Sequence, residues 1–162
     1  MSAESTKNLA ERFAELTAVV ELLEVRPVGF LARLVGTIPP PETHVAVDIE
    51  SKLTAKLEGE GLFEVNADFG LGAHLEADPK EELLKIRYTI ISRYRVPPEH
   101  PLEQEVLDFF ARTNGMVHLW PYLRAFVANS CAQMGIIPIT LPPFRVQQPA
   151  KKPAKKPASA TS

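Results

Sequence analysis

Three consecutive segments of the chain alternate between apolar and polar residues with a period of two. From Val45 the apolar positions are Val45, Val47, Ile49, Leu53, Ala55 and Leu57, with His44, Asp48, Glu50, Lys52 and Lys56 between them. From Phe63 they are Phe63, Val65, Ala67, Phe69, Leu71, Ala73 and Leu75, and from Leu84 they are Leu84, Ile86, Tyr88, Ile90, Tyr94 and Val96. Successive side chains of a strand point to opposite faces, so each segment predicts a strand with one buried and one wet face. The short links "GEG" and "ADPKE" make the three strands antiparallel neighbours. On the wet face Glu64 and Asp68 of one strand meet Lys85, Arg87, Arg93 and Arg95 of the next, a complementarity that sets register.

Elsewhere the period is that of a helix. Asn8 and Glu11 form a capping-box pattern ahead of the stripe Leu9, Phe13, Leu16 and Val20, which predicts a short helix over about 9–18. The apolar run "VVELLEVRPVGFLARLV" follows as a first strand, kinked near Pro27 and Gly29 and ended by "IPPPET". After "VPPEHP" a second helix is expected from Leu102 to about Thr113, closed by Asn114-Gly115. A third is expected to start at Pro121, where a missing N–H costs nothing, and to stop at Gly135. The segment "IIPITLPPF" is extended because of its prolines. The fold class is therefore α+β: a four-stranded antiparallel sheet, C-terminal helices on its apolar face and an extra N-terminal helix. Three regions result: an N-terminal extension over 1–18, the α+β domain over 19–145 and a tail over 146–162.

Composition adds a compartment and a charge asymmetry. One cysteine in 162 residues allows no internal disulfide, and no run is apolar enough over a membrane-spanning length, so a cytoplasmic protein is expected. The last twelve residues, "KKPAKKPASATS", carry four lysines and no acid, which leaves −6 of the net charge of −2 to the rest. The tail is expected to be disordered, a solubilising extension or a contact for an anionic partner. An acidic body disfavours nucleic-acid binding.

Candidate chemistry is sparse. His44, His74, His100 and His118 show no metal-ligand spacing, and Cys131 has no activating base nearby in sequence. The glycines of "FGLGAHL" fall on the polar parity of a strand and make no phosphate loop. No catalytic site and no cofactor are expected. What stands out is apolar: Trp120, Tyr122, Leu123 and Phe126 on the last helix, then Ile136, Ile137, Leu141 and Phe144 in the extended segment. They are the candidate lining of an apolar groove. Leu102, Val106, Phe109 and Phe110 are the candidate oligomer interface.

The stretch "WPYLRAFVANSCAQMGIIPITLPPF", Trp120 to Phe144, resembles the C-terminal region of the SecB family of export chaperones. The matching features are Trp120-Pro121-Tyr122-Leu123-Arg124 at the helix, Gly135 after it, and Pro138 to Leu141 followed by Pro142. The order of four strands before them agrees as well. The resemblance implies a chaperone assembled as a dimer of dimers that holds non-native polypeptides in long apolar grooves without nucleotide. It also implies partners: the SecA motor in export, or an antitoxin for a dedicated relative. The outward arginines and lysines of the fourth strand, the N-terminal helix and the lysine-rich tail depart from the export members. A small-ligand carrier or an enzyme of helix-grip or hotdog type is the other class that such a sheet and helix allow.

Overall fold

The computed structural model describes residues 8–145; the expected disordered tail over 146–162, like residues 1–7, lies outside them. Helix α1 (Leu9–Val19) opens with the capping box: the Asn8 side chain accepts from the Glu11 amide at 2.9 Å, and Glu11 accepts from the Asn8 amide at 3.0 Å. Strands β1 (Glu21–Leu34), β2 (Val45–Gly59), β3 (Leu62–Leu75) and β4 (Glu82–Arg95) then build one antiparallel sheet in the order β1-β4-β3-β2. The β1 ladder shifts register between Leu22 and Glu24 and again between Pro27 and Gly29, where proline has no amide to give to a ladder. Gly61, at φ +68°, makes the tight turn from β2 to β3; a Cβ there would stand 2.6 Å from the Val96 carbonyl oxygen.

The alternation is obeyed closely by the two central strands. Phe63, Val65, Ala67, Phe69, Leu71 and Ala73 of β3 and Leu84, Ile86, Tyr88, Ile90 and Tyr94 of β4 are all buried. Their opposite parity faces outward. There Glu64 stands opposite Arg93, as the charge pattern suggested, but Asp68 stands opposite Thr89 and accepts its hydroxyl at 2.8 Å. The ion pairs of Arg93 and Arg95 go instead to Glu24 (3.7 Å) and Glu21 (2.8 Å) on the adjacent β1 and, across β3, to Glu58 (2.9 Å) of β2.

The C-terminal helices cover the apolar face, with one correction to the expected break. Helix α2 (Gln104–Phe110) does not end at Asn114-Gly115. It passes through a π-helical turn, Ala111–Gly115, into helix α3 (Met116–Gln133). Gly115 keeps right-handed helical angles, φ −56° and ψ −47°. Its role is clearance, since a Cβ there would lie 3.1 Å from Val65 Cγ1. The Thr113 hydroxyl donates to the Phe109 carbonyl at 2.8 Å, supplying a partner where the wider turn disturbs the ladder. Pro121 therefore sits inside α3 rather than at its start. It and Val117 lie on the exposed side, so the carbonyl that loses its amide partner faces water.

Leu119, Leu123, Val127 and Cys131 of α3 fill the space over β3 and β4. Phe63 and Tyr94 stack at 5.0 Å, and the Phe110 ring meets both edge-on. The face bearing Leu102, Val106, Phe109 and Phe110 meets α1 of the same chain. Val106 and Phe110 are buried, and Phe109 packs edge-on against Phe13 at 4.8 Å. Arg12 of α1 bridges Glu103 and Glu105 beside them.

Candidate functional site

Because β1 and β2 lie on opposite edges, the chain between them must cross one end of the sheet. It does so as "GTIPPPET", in which three successive prolines fix the backbone and remove its donors, and the Thr43 amide closes a turn on the Pro40 carbonyl at 3.0 Å. The same end is where α3 stops, with Gly135 at φ +69°, and where the extended segment after it begins. Neither covers the apolar row beneath completely. The result is a groove of about 220 Å³. Its floor is Leu34, Leu84, Ala73 and Val45; one wall is Ile38 with Pro39, Pro40 and Pro41; the other is Ile136, Ile137, Pro138 and Ile139.

Among the described residues no charged side chain lines this groove, and the only side-chain polar groups there are the hydroxyls of Thr37 and Thr43. Such a lining can exclude water from an apolar guest, but it offers no acid, base or activated nucleophile. Ile38 is 50% exposed and Ile137 65% exposed, so apolar surface is on offer.

The wall is held by two side chains one helical turn apart. Trp120 Nε1 donates to the Pro142 carbonyl at 2.7 Å, and Arg124 Nε donates to the Leu141 carbonyl at 2.8 Å. The Trp120 ring also lies against Phe69 at 6.4 Å and Phe144 at 5.7 Å. Leu141 is buried by this clamp. Of the residues singled out in the sequence, Ile136 and Ile137 line the groove; Trp120, Leu141 and Phe144 fix its wall. Leu123 lies in the core, and Tyr122 is exposed on the outer side of α3. Phe126 stacks on Tyr88 at 4.4 Å and touches Phe30 at 5.9 Å, towards β1. Leu34, Val45 and the Ile38–Pro41 wall were not picked out, although "IPPP" is the local signal of a stiff apolar rim.

A second feature had no sequence signal. His118 Nδ1 lies 2.9 Å from the Tyr94 hydroxyl, between α3 and β4. Burial lowers the His118 pKa below its ordinary 6.5 and pushes Tyr94 up to about 12, an effect tempered by Ser92. On the wet face, burial and then the neighbouring Glu58 raise the Glu64 carboxyl. His44 is exposed, whereas His74 lies 3.4 Å from Asp48. Among the described residues no group of three or more His, Cys, Asp or Glu side chains converges as a metal would require, and no helix is long and apolar enough to cross a membrane.

The four-stranded antiparallel sheet with its N-terminal and C-terminal helices is the fold of a solved SecB-like chaperone. The SecB-like chaperone Rv1957 of Mycobacterium tuberculosis, solved with a ChAD peptide from the HigA1 antitoxin Rv1956, superposes with a TM-score of 0.75. The match covers 86% of this chain and 99% of that one at 20% identity. A protein of unknown function from Streptococcus agalactiae matches 76% of this chain and 96% of its own at 13% identity, with a TM-score of 0.44. No protein-family model and no curated protein matches the sequence.

Proposed function

We propose that this protein is a chaperone that binds non-native polypeptide segments in the apolar groove, without nucleotide and without catalysing a reaction. The observation that carries the reading is the uncharged groove itself, bounded by Ile38–Pro41 and Ile136–Ile139, on a SecB-like scaffold. Its rims are rigid, one through prolines and the other through the Trp120 and Arg124 bonds, so a guest is admitted without first ordering the walls. The guest's own extended backbone and apolar side chains supply the variety. A helix-grip carrier or enzyme would need convergent polar groups to orient a small ligand, and the lining supplies only two threonine hydroxyls.

A dedicated client such as an antitoxin fits this reading best. Support comes from the structural neighbour, which is bound to an antitoxin peptide. The outward Lys85, Arg87, Arg93 and Arg95 argue against an acidic docking face for the SecA motor. The chain is further proposed to act as an oligomer, a dimer of dimers. The surface that invites this is β1, where Leu22, Leu23, Val28 and Leu31 are exposed and Phe30 is 73% exposed.

The test is suppression of aggregation. Added in the absence of ATP to a thermally unfolding client at equimolar ratio, the protein should keep it in solution, and apyrase treatment should change nothing. Aggregation at the rate of the client alone would overturn the proposal.

A further inference from the structure

β4 buries one hydroxyl that nothing else in the fold uses. Ser92 lies on its inward row, between Val25 of β1 and Val65 of β3, and is fully buried, yet its Oγ makes no hydrogen bond. A buried hydroxyl without a partner destabilises, and an alanine would fill the same place without that penalty. Two positions on, along the same row, stands Tyr94, whose acidity Ser92 tempers and whose ring stacks on Phe63. The Tyr94 hydroxyl turns to His118 Nδ1 at 2.9 Å. Among the described residues this is the only hydrogen bond between α3 and the sheet.

The bond sits between the two ends that matter in α3. The π-helical turn closes at Gly115, just before His118, and Trp120 and Arg124, which hold the groove wall, follow it. His118 is half-buried, within reach of a proton from solvent, whereas Tyr94 and Ser92 are closed off. From β4 it faces Tyr94, with Ser92 beyond, and from α2 the ring of Phe110 at 6.3 Å. Tyr94 is the one other titratable group among these, and burial pushes it up to about 12, so it keeps its proton. Burial lowers the His118 pKa, and no charged side chain among the described residues contributes.

We propose that Ser92, Tyr94 and His118 form a hydrogen-bond chain with two settings, and that protonation of His118 reverses the chain and loosens the hold of α3 on the sheet. In the neutral setting, the one the structure shows, Tyr94 donates to Nδ1, His118 carries its proton on Nε2, and Ser92 is idle. In the charged setting a proton from solvent is bound and Nδ1 becomes a donor. His118 then donates to the Tyr94 oxygen, and the Tyr94 proton swings to Ser92 Oγ. The idle serine is the acceptor that the second setting requires. A half-buried cation beside Phe110 favours a helix moved towards water, and the wall that Trp120 anchors moves with it. This last step rests on the chaperone reading, and its consequence is weaker capture of clients as pH falls.

The test of the chain is nitrogen NMR of His118 in the whole protein. Neutral wild-type His118 should be the Nε2–H tautomer. Ser92→Ala should keep that tautomer and the fold but reduce the proton affinity of His118 about tenfold, because the Tyr94 proton then has no acceptor in the charged setting. An Nδ1–H tautomer in neutral wild type, or an unchanged proton affinity in Ser92→Ala, would overturn the chain and leave Ser92 a packing residue. The test of the coupling is capture of a reduced and alkylated, permanently unfolded protein at about pH 7.5 and about pH 5.5, either side of the histidine range. Wild type should lose about tenfold in affinity on acidification. His118→Asn, whose amide stands where Nδ1 stood and does not titrate, should lose none. Equal losses in the two proteins would overturn the coupling while the chaperone reading stands. No capture by either protein at either pH would overturn the chaperone reading and the coupling with it, and the NMR would still decide the chain.

Discussion

Trp120 and Arg124 show how two side chains can define a functional wall. Their donors meet consecutive stretches of an extended backbone that has prolines and so few donors of its own. Trp120→Phe should cost about 1 kcal/mol, one hydrogen bond with the ring volume mostly kept, whereas Trp120→Ala should cost about 2–4 kcal/mol because Phe69 and Phe144 lose their shared neighbour. Urea unfolding of the two variants separates these outcomes; equal losses would mean that the bond, not the ring, fixes the segment. His118 gives a pH signature. Its folded pKa is depressed below 6.5, so protonation favours the unfolded chain. The stability that it contributes is complete above pH 6.5 and is lost as pH falls towards the lowered folded value. Tyr94, at about 12, does not titrate there, and the raised Glu64 carboxyl works in the opposite sense, gaining stability on acidification. Melting temperature should therefore drop as pH is lowered below 6.5, and His118→Gln should flatten that slope; an unchanged slope assigns the effect to other groups. None of this pairing was legible in the sequence, because Tyr94 and His118 are brought together only by the docking of α3 on β4.

At the scale of elements, the π-helical turn is the instructive case. Asn114-Gly115 carries the signature of a helix end, yet the glycine serves close approach to Val65 and the helix continues. Locally the two uses look alike. What distinguished them was the spacing of buried residues: Val106, Phe110, Gly115, Leu119, Leu123 and Val127 step by four except for one step of five, the extra residue of a π turn. Gly115→Ala gains up to about 1 kcal/mol of helix propensity but adds a methyl to a packed contact, which costs about 1–3 kcal/mol, so net destabilisation near 1 kcal/mol is expected. A stabilised variant, measured by thermal melting, would show that the turn has room to spare. The strands, by contrast, were readable to within a few residues. Burial on one face forces a period of two, and a slip by one residue would turn Phe63, Phe69 and Tyr94 into water.

For the whole molecule, the groove was only half readable. Ile136 and Ile137 drew attention as apolar residues in an extended segment, but the opposing wall lies about a hundred positions earlier in the chain, at Ile38–Pro41, and no local rule joins the two. Their meeting follows from the strand order, which sends the β1–β2 connection across the end of the sheet where α3 stops. The same order leaves β1 at an edge with apolar residues on show. Light scattering after gel filtration should therefore report an oligomer at micromolar concentration, and Phe30→Glu should shift it towards monomer with little change in helix and strand content, since Phe30 is largely exposed. A monomeric wild type would remove this surface from the assembly.

The central claim, that the groove between Ile38 and Ile137 holds unfolded polypeptide, is tested most directly by charging its rims. Ile38 and Ile137 are both at least half exposed, so Ile38→Glu combined with Ile137→Glu should leave the melting temperature nearly unchanged. Removing two apolar contacts and placing carboxylates in their stead should weaken capture of a permanently unfolded client by at least about tenfold, as read by fluorescence anisotropy without nucleotide. A variant that melts like wild type and still binds with wild-type affinity would contradict the groove as the client site.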